Sequence, residues 1–245
     1  MHFKTYYLGM TKWLCVVTTS LLLMVFILAV GCATAVCKTQ DGFVPIFNGK
    51  DLAGWQGING NTSSYYAQNG ELVCSETGKV HIFTTRAYTN FVLRLEIKMD
   101  PGGNNGVGVR TKVSKQPHLE GCEIQVLDDP YYVYGIPREG KSKEDWPKLK
   151  DYQHHGSIYG VVPAKTGQLK PAGEWNQQEI VCNGRQLTVT LNGVVIVAVE
   201  LDKVQPIDGY EHPGLLYNSG FIGLHAHGNY GAKIYFRNLL VKELP

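Results

Sequence analysis

Apolar and polar residues alternate with a period of two along most of the chain after residue 40, and turn residues separate the alternating runs. This pattern is typical of antiparallel strands that bury one face. The segment Phe91–Met99 is the clearest case, because three aliphatic residues take one face while Arg94, Glu96 and Lys98 take the other. The pattern therefore predicts an all-β fold, an antiparallel sandwich or barrel, with little helix.

The strongest hairpin signal is Gln186–Leu191 followed by Asn192-Gly193 and a second apolar run over 194–201. Asn-Gly supplies the two positive φ angles that a type I′ turn requires. A charged stretch over 141–152 predicts a surface excursion instead of a strand. Further strands are expected at 70–74, 107–112, 122–127, 178–182, 221–224 and 233–242.

The first thirty residues predict export. Lys4 and Lys12 precede an uninterrupted apolar and hydroxyl stretch over 13–30, which is typical of a signal peptide. The residues 28–32, Leu-Ala-Val-Gly-Cys, are similar to a bacterial lipobox, which makes residues 1–31 the signal peptide, Cys32 the lipidated first mature residue and 32–42 a linker. Ordinary cleavage after the small-x-small pattern 33–35 is the second alternative, and an uncleaved membrane anchor is the third.

The composition and charge limit the classes of molecule that the protein is expected to bind. The formal net charge of +2 comes entirely from Lys4 and Lys12, so the mature chain is formally neutral. A neutral surface lacks the cationic field that dominates nucleic-acid binding, which argues against nucleic-acid partners and favours an uncharged ligand. Hydrophobic residues make up 44% of the sequence, enough for the core of one domain over 43–245. Cys74, Cys122 and Cys182 lie in apolar runs without metal-site spacing, so we expect them in the core.

Candidate chemistry begins on the strand expected at 122–127. The two-residue period sends Glu123 and Gln125 to one face, opposite the aliphatic residues. On the strand at 107–112 the same rule turns Arg110 away from the buried valines, so Arg110 and Glu123 are predicted to share a polar surface. A carboxylate, an amide and a guanidinium together suit a polyhydroxylated ligand, whereas an ordinary solvated ion pair is the alternative.

Histidines add groups that titrate near neutral pH. His154 and His155 lie in the loop after the charged excursion, and His225 and His227 share one strand face. Such an His-x-His pair binds a divalent metal if Glu123 or His155 converges on it, and separate hydrogen-bonding roles are the alternative.

Aromatic residues offer apolar faces on which sugars stack. Tyr159 lies in a glycine-bounded loop and is the preferred ligand candidate. The predicted substrate-binding residues are Tyr159, Gln125, His154, Trp175 beside an expected strand, and Glu96 on the polar face of 91–99.

Several segments in order are similar to the 3-keto-disaccharide hydrolase family, also described as 3-keto-glucoside lyases and hydratases. The segments are FNGKDLAGW (47–55), NGELVC (69–74), PGGNNGVGVR (101–110), CEIQVLDD (122–129), HGSIYGVVPA (155–164), GEWN (173–176), HPG (212–214) and FRNLLVKELP (236–245). The resemblance implies a two-sheet antiparallel jelly-roll sandwich of the concanavalin A-like or LamG-like type.

The resemblance also implies an enzyme that cleaves glycosides already oxidised at carbon 3, by β-elimination or net hydrolysis, in the carbohydrate catabolism of the bacterial envelope. The chemistry needs a base, an oxyanion stabiliser and an acid. We expect Glu123 or a loop histidine to be the base, Arg110 and Gln125 to stabilise the enolate, and His155, Tyr159 or His227 to protonate the leaving group. No cofactor is firmly predicted, and a divalent metal could replace Arg110.

Two other classes of protein fit the same pattern. A lectin-like carbohydrate-binding module is the main alternative, because the jelly roll supports both activities. An envelope scaffold protein is the other, and the polar outward strand residues argue against it only mildly.

Overall fold

The computed structural model describes residues 41–134, 148–228 and 231–245. The predicted signal peptide, the lipidation site Cys32, most of the linker and residues 141–147 of the charged excursion lie outside the described residues. Within the described ranges, no helix has the length and apolarity that crossing a membrane requires.

The described chain is built almost entirely of strands. The strands are β1 (Val44–Pro45), β2 (Trp55–Gly57), β3 (Tyr65–Gln68), β4 (Glu71–Cys74), β5 (Ile82–Tyr88), β6 (Phe91–Met99), β7 (Asn104–Thr111), β8 (Cys122–Leu127), β9 (Asn176–Asn183), β10 (Gln186–Leu191), β11 (Val194–Glu200), β12 (Gly220–Ala226) and β13 (Ile234–Glu243). One short α-helix, α1, spans Asp129–Tyr134. The 3-10 helices of the described residues are Ile58–Gly60, Asp151–Gln153, Leu201–Lys203 and Pro213–Leu216.

The strands form two antiparallel sheets. The large sheet has eight strands in the order β11-β10-β9-β6-β13-β4-β3, with β1 also paired to β13. The small sheet has five strands in the order β2-β5-β12-β7-β8. Aromatic and aliphatic side chains such as Ile82, Phe91 and Phe236 fill the space between the sheets and are fully buried. The protein is therefore an all-β, two-sheet antiparallel jelly-roll sandwich, as predicted.

The two strongest local predictions are confirmed. Strand β6 alternates between buried and more exposed positions along its length. The hairpin β10–β11 turns at Asn192 and Gly193, which have φ angles of 50° and 86°, as the type I′ turn requires. Cys74, Cys122 and Cys182 are buried in strands, as expected.

The edge of the small sheet beyond β8 is closed by the chain's own segment 156–162. Ile158 bridges to Ile124 of β8 on one side and to Val162 on the other. The backbone N–H of Tyr159 donates to the carbonyl of Glu123 at 2.9 Å. This segment therefore lies directly beside the strand that carries the predicted polar pair.

Candidate active site

Glu123 is the centre of a buried polar cluster on the outer face of the small sheet. Its side chain is only 2% exposed, and Oε1 lies 3.3 Å from Nδ1 of His225 and 3.1 Å from Nε2 of His227. His225 is fully buried, whereas the His227 side chain is 34% exposed. The cluster thus joins a buried carboxylate to an imidazole that solutes can reach.

Two glycines of β7 make room for this cluster. Gly106 and Gly108 lie opposite Gln125 and Glu123 in the register of β7 and β8. A Cβ on Gly106 would lie 1.7 Å from Oε1 of Glu123, and a Cβ on Gly108 would lie 2.4 Å from Nε2 of His225. The side chains of Glu123 and His225 therefore lie directly against the backbone of β7. Any residue larger than glycine at position 106 or 108 would overlap them.

The charges of the cluster depend on one another. Burial alone would raise the pKa of Glu123, but the adjacent His225 and His227 outweigh it and hold the pKa well below the ordinary carboxyl range. Burial likewise opposes protonation of His227, yet its hydrogen bond to Glu123 raises the pKa of the imidazole above 6.5. Glu123 is consequently an anion at neutral pH, and it strengthens His227 as a base.

Two further histidines border the cluster and remain neutral. The His81 ring centroid lies 5.5 Å from that of His225 and 6.2 Å from that of His227. Burial, together with the charges of those two histidines, lowers the pKa of His81 to about 4. Burial also lowers the pKa of His118. These rings can exchange hydrogen bonds with a ligand without adding a net charge.

The structure brings Gln125 and Tyr159 to the same part of the molecule as Glu123 and His227. Gln125 is buried on the outward side of β8, and its Nε2 donates to Oδ1 of Asn104 at 3.2 Å. Tyr159 contacts the site through its backbone bond to Glu123, as described above. Four residues of the predicted site therefore lie close together: Glu123, Gln125, Tyr159 and His227.

Arg110 does not share this neighbourhood, so the predicted common surface with Glu123 is wrong. One extra residue in β7 interrupts its pairing with β12, where Phe221 faces Thr111 but Gly223 faces Gly108. The φ angle of Arg110 is 52°, and such a bulge redirects the side chain out of the alternation.

The redirected guanidinium ties together turns at one end of the sandwich. It donates to the carbonyls of Thr89 and Gly184 at 2.9 and 2.7 Å, and to Oδ1 of Asn90 at 3.2 Å. Arg110 is only 2% exposed. Arg110 therefore stabilises the turns at this end of the sandwich and does not line the candidate site.

His155 is also placed elsewhere than predicted, in the interior between the sheets. Its Nδ1 accepts a hydrogen bond from the backbone N–H of Leu127 at 3.2 Å, so the neutral ring carries its proton on Nε2, which lies 3.2 Å from Oε1 of Gln178. Burial lowers the pKa of His155 to about 4. A neutral imidazole that spans the two sheets is a structural group, not an acid for substrate.

The remaining predicted binding residues are scattered. His154 Nδ1 lies 3.2 Å from Oδ2 of Asp129 in a separate cavity of about 570 Å³. Glu96 lies on the outer face of the large sheet, where Arg237 Nε and Asn238 Nδ2 donate to it at 2.7 and 2.8 Å.

Trp175 belongs to the same face of the large sheet as Glu96. The Arg237 guanidinium lies 4.0 Å from the Trp175 ring centroid and the Lys98 ammonium 4.6 Å from it. The predicted grouping of Glu96 and Trp175 with Glu123 is therefore wrong, because they belong to the opposite sheet.

Metal binding is not evident from the described geometry. Within the described ranges, no group of three or more His, Cys, Asp or Glu side chains is arranged to hold a metal ion. The arrangement that is present is a carboxylate and imidazole pair, which is suited to moving a proton to or from a ligand.

Sequence reasoning identified Glu123 and His227, and it named His225 as a possible metal-binding partner of His227, but it did not assign His81 or His118 to the site. The pairing of His225 with His227 was readable because the two residues are two apart at the end of β12 and therefore share a face. The glycines at 106 and 108, also two residues apart, mark the same face of the neighbouring strand. His81 and His118 had no local signal, because each is a single histidine outside a strand.

The fold and the site define a class of two-sheet jelly-roll proteins that carry a buried carboxylate and histidine centre on the outer face of the small sheet. Within that class, the chain belongs to the family described as the 3-keto-alpha-glucoside-1,2-lyase-like domain, whose model matches residues 42–242.

Known relatives agree with this assignment. A 3-keto-disaccharide hydrolase from Bacteroides thetaiotaomicron is 24% identical, and the alignment covers 83% of this chain and 79% of the relative. Two crystal structures from Parabacteroides distasonis, both provisionally named glycosyl hydrolases, are also similar. One has a TM-score of 0.69 and 25% identity, covering 86% of this chain and 99% of its own. The other has a TM-score of 0.67 and 29% identity, covering 82% and 99%.

Proposed function

We propose that this protein cleaves glycosides already oxidised to the ketone at carbon 3, by β-elimination, with net hydrolysis when water subsequently adds to the product. Family membership and the name of the Bacteroides relative support the substrate class. The single observation that carries the mechanism is the 3.1 Å contact between Oε1 of buried Glu123 and Nε2 of accessible His227.

The chemistry follows from the ketone. A carbonyl at carbon 3 acidifies the proton at carbon 2, so a base can remove it and leave an enolate. The enolate electrons then form the double bond between carbons 1 and 2 while the bond from carbon 1 to the glycosidic oxygen breaks. That oxygen takes up a proton as it departs, so the elimination is redox-neutral. Addition of water across the new double bond yields the free 3-keto sugar.

We assign the base to His227 and its support to Glu123. The expectation that Glu123 itself is the base is not favoured, because its lowered pKa makes it a weak base and its burial keeps it from substrate. His227 has a raised pKa and is partly exposed. When His227 accepts the carbon-2 proton, the Glu123 carboxylate stabilises the resulting imidazolium. The same imidazolium can then protonate the departing oxygen.

The enolate oxygen requires a hydrogen-bond donor that does not protonate it fully. We assign this role to His81, which replaces Arg110 in the mechanism. His81 borders His227, and its pKa of about 4 keeps the ring neutral near pH 7. Gln125 stays buried beside Glu123, where its amide binds Asn104, and it supports the floor of the site.

The decisive experiment compares a 3-keto-glucoside with the unoxidised glucoside. Purified protein should release the aglycone from the ketone alone. In D₂O, the recovered 3-keto substrate should gain deuterium at carbon 2, which reports proton removal separately from bond cleavage. His227→Ala should lower both rates by about 10²- to 10⁴-fold. Retention of both rates in that variant would remove His227 as the base.

The same assay separates the enzyme from the lectin-like module. A binding module would retain the intact glycoside and release nothing from either form. Cleavage that is lost on chelation and restored by a divalent cation would instead assign the enolate-stabilising role to a metal and not to His81.

We further infer that the protein works in the bacterial envelope, exported by residues 1–31 and anchored through a lipid on Cys32. The support is the lysine-led apolar leader and the sequence 28–32. Metabolic labelling with a fatty-acid analogue should mark the wild-type protein and not a Cys32→Ser variant. Equal labelling of the two would contradict the anchor, and secretion of unlabelled wild-type protein would favour cleavage after residues 33–35.

A further inference from the structure

Tyr159 points to the same face of the small sheet as Glu123. Ile158 is 1% exposed and bridges to Ile124, which is fully buried on the core side of β8. The Tyr159 ring centroid lies 6.2 Å from that of His118, and the charge of Glu123 acts on the pKa of both rings, so Tyr159 lies on the Glu123 side of β8. The hydrogen bond from the backbone N–H of Tyr159 to the carbonyl of Glu123 holds the two residues side by side.

Two aromatic rings flank the ring of Tyr159. The ring centroids of His118 and Tyr159 are 6.2 Å apart and those of Tyr152 and Tyr159 are 5.7 Å apart, both nearly edge-on. Burial lowers the pKa of His118 and raises the pKa of Tyr159, so both rings are uncharged near neutral pH. This part of the site is therefore aromatic and neutral, in contrast to the anionic Glu123 and the titrating His227 beside it.

A buried pair that the proposed mechanism does not use lies behind Tyr159. His212 Nε2 is 2.9 Å from Oδ2 of Asp208, and the two side chains are only 1% and 4% exposed. The pair packs against Gly160, where a Cβ would lie 2.2 Å from Oδ2 of Asp208. Ile207 N also donates to Gly160 O at 2.7 Å. The segment 207–212 thus packs against the backbone next to Tyr159 and is hydrogen-bonded to it.

We propose that Tyr159 and His118 form the binding surface for the group that leaves from carbon 1, and that the Asp208–His212 pair positions this surface. The proposal rests on the proposed function. The edges and faces of the two rings favour an aglycone with an aromatic ring, since aromatic pairs gain energy from edge-to-face and offset contacts. Asp208 and His212 act through Gly160 and do not touch the ligand.

The test uses two 3-keto-glucosides that differ only in the aglycone, methyl and benzyl. Both leaving groups are simple alcohols, so their chemical reactivity is similar and the ratio of kcat/KM values reports binding of the ring. The wild-type protein should prefer the benzyl substrate. Tyr159→Ala should lower the benzyl-to-methyl ratio by about tenfold, whereas Tyr159→Phe should retain most of it.

The positioning pair is tested by the same ratio. Asp208→Ala should lower the ratio, and Asp208→Asn, which keeps an oxygen near His212, should restore it in part. Thermal unfolding of each variant shows whether it is folded. An unchanged ratio in Tyr159→Ala, with both substrates slowed equally, would overturn the subsite and leave the proposed function intact. A wild-type protein that cleaves neither substrate would overturn the proposed function, and the subsite with it.

Discussion

The outer faces of the two sheets each carry a carboxylate with side-chain partners, Glu96 on the large sheet and Glu123 on the small sheet, and the two carboxylates have different partners. On the large sheet, Glu96 binds Arg237 and Asn238 near the surface. On the small sheet, Glu123 is buried and contacts His225 and His227. An arginine remains charged at any physiological pH, whereas a histidine gains and loses its proton near neutrality. The same alternation therefore produces a fixed ion pair on one face and a proton-transfer pair on the other.

The largest expected difference between the two faces is in catalysis. Glu123→Gln should lower the turnover of a 3-keto-glucoside by about 10³-fold, because the amide cannot stabilise a protonated His227. Glu96→Gln makes the same chemical change on the other face and should alter turnover by less than about twofold. Steady-state kinetics on both purified variants checks this. Similar losses in the two variants would show that the large-sheet face also belongs to the site.

A second test asks whether Arg110 stabilises the fold or takes part in the site on the small sheet. Arg110→Ala should lower the free energy of unfolding by about 2–4 kcal/mol, because the carbonyls of Thr89 and Gly184 lose their buried donor. Arg86, whose side chain is 64% exposed in its ion pair with Glu243, provides the control. Arg86→Ala should cost less than about 0.5 kcal/mol. Urea unfolding measures both, and a folded Arg110→Ala protein without activity would return Arg110 to the site.

The third test concerns Gly106, one of the two glycines of β7 that make room for the site on the small sheet. Gly106→Ala should cost about 1–3 kcal/mol of stability, because the new methyl group overlaps the Glu123 carboxylate. The same substitution in a Glu123→Ala protein should cost clearly less, since the overlapping atoms are gone. Urea unfolding of the four proteins gives this difference directly. An equal cost in both backgrounds would mean that the strain lies in the backbone and not against Glu123.

The smallest expected effect is a shift in a titration midpoint. The imidazole of His227 should titrate above 6.5 and that of His81 near 4, as followed by NMR. Because the raised pKa of His227 comes from Glu123, Glu123→Gln should bring it below 6.5, where burial alone would place it. As a base, His227 must be neutral, so activity should rise as pH increases through its pKa. A midpoint that does not change in Glu123→Gln would contradict the coupling.

Most of the sandwich could be predicted from the sequence because strands such as β6 and the hairpin β10–β11 carry their own pattern. Strand β5 was not predicted, since its central Thr84-Thr85-Arg86 does not alternate between apolar and polar residues. Glu123 could be found because it lies in the regular strand β8, and His227 because it directly follows β12 and keeps the two-residue period with His225.

The remaining site residues depend on features that the local pattern does not contain. Arg110 was misplaced because a bulge is one extra residue in the pairing of two distant strands, and neither strand shows it alone. His155 was misplaced because an irregular loop has no period that tells inside from outside. His81 precedes β5 and His118 lies between β7 and β8. The two residues come near Glu123 only when these strands are assembled into the small sheet.

The closure of the small sheet by Ile158 affects how the molecule resists self-association. An open edge strand offers unpaired N–H and C=O groups to any foreign strand, which makes it a template for aggregation. Here the backbone of β8 is engaged by residues 156–162, the segment that also carries Tyr159. An invading strand would have to displace Tyr159 before it could pair with β8. Solubility and an intact site are thus secured by the same few hydrogen bonds, so mutations that loosen this segment should produce aggregates and inactive protein together.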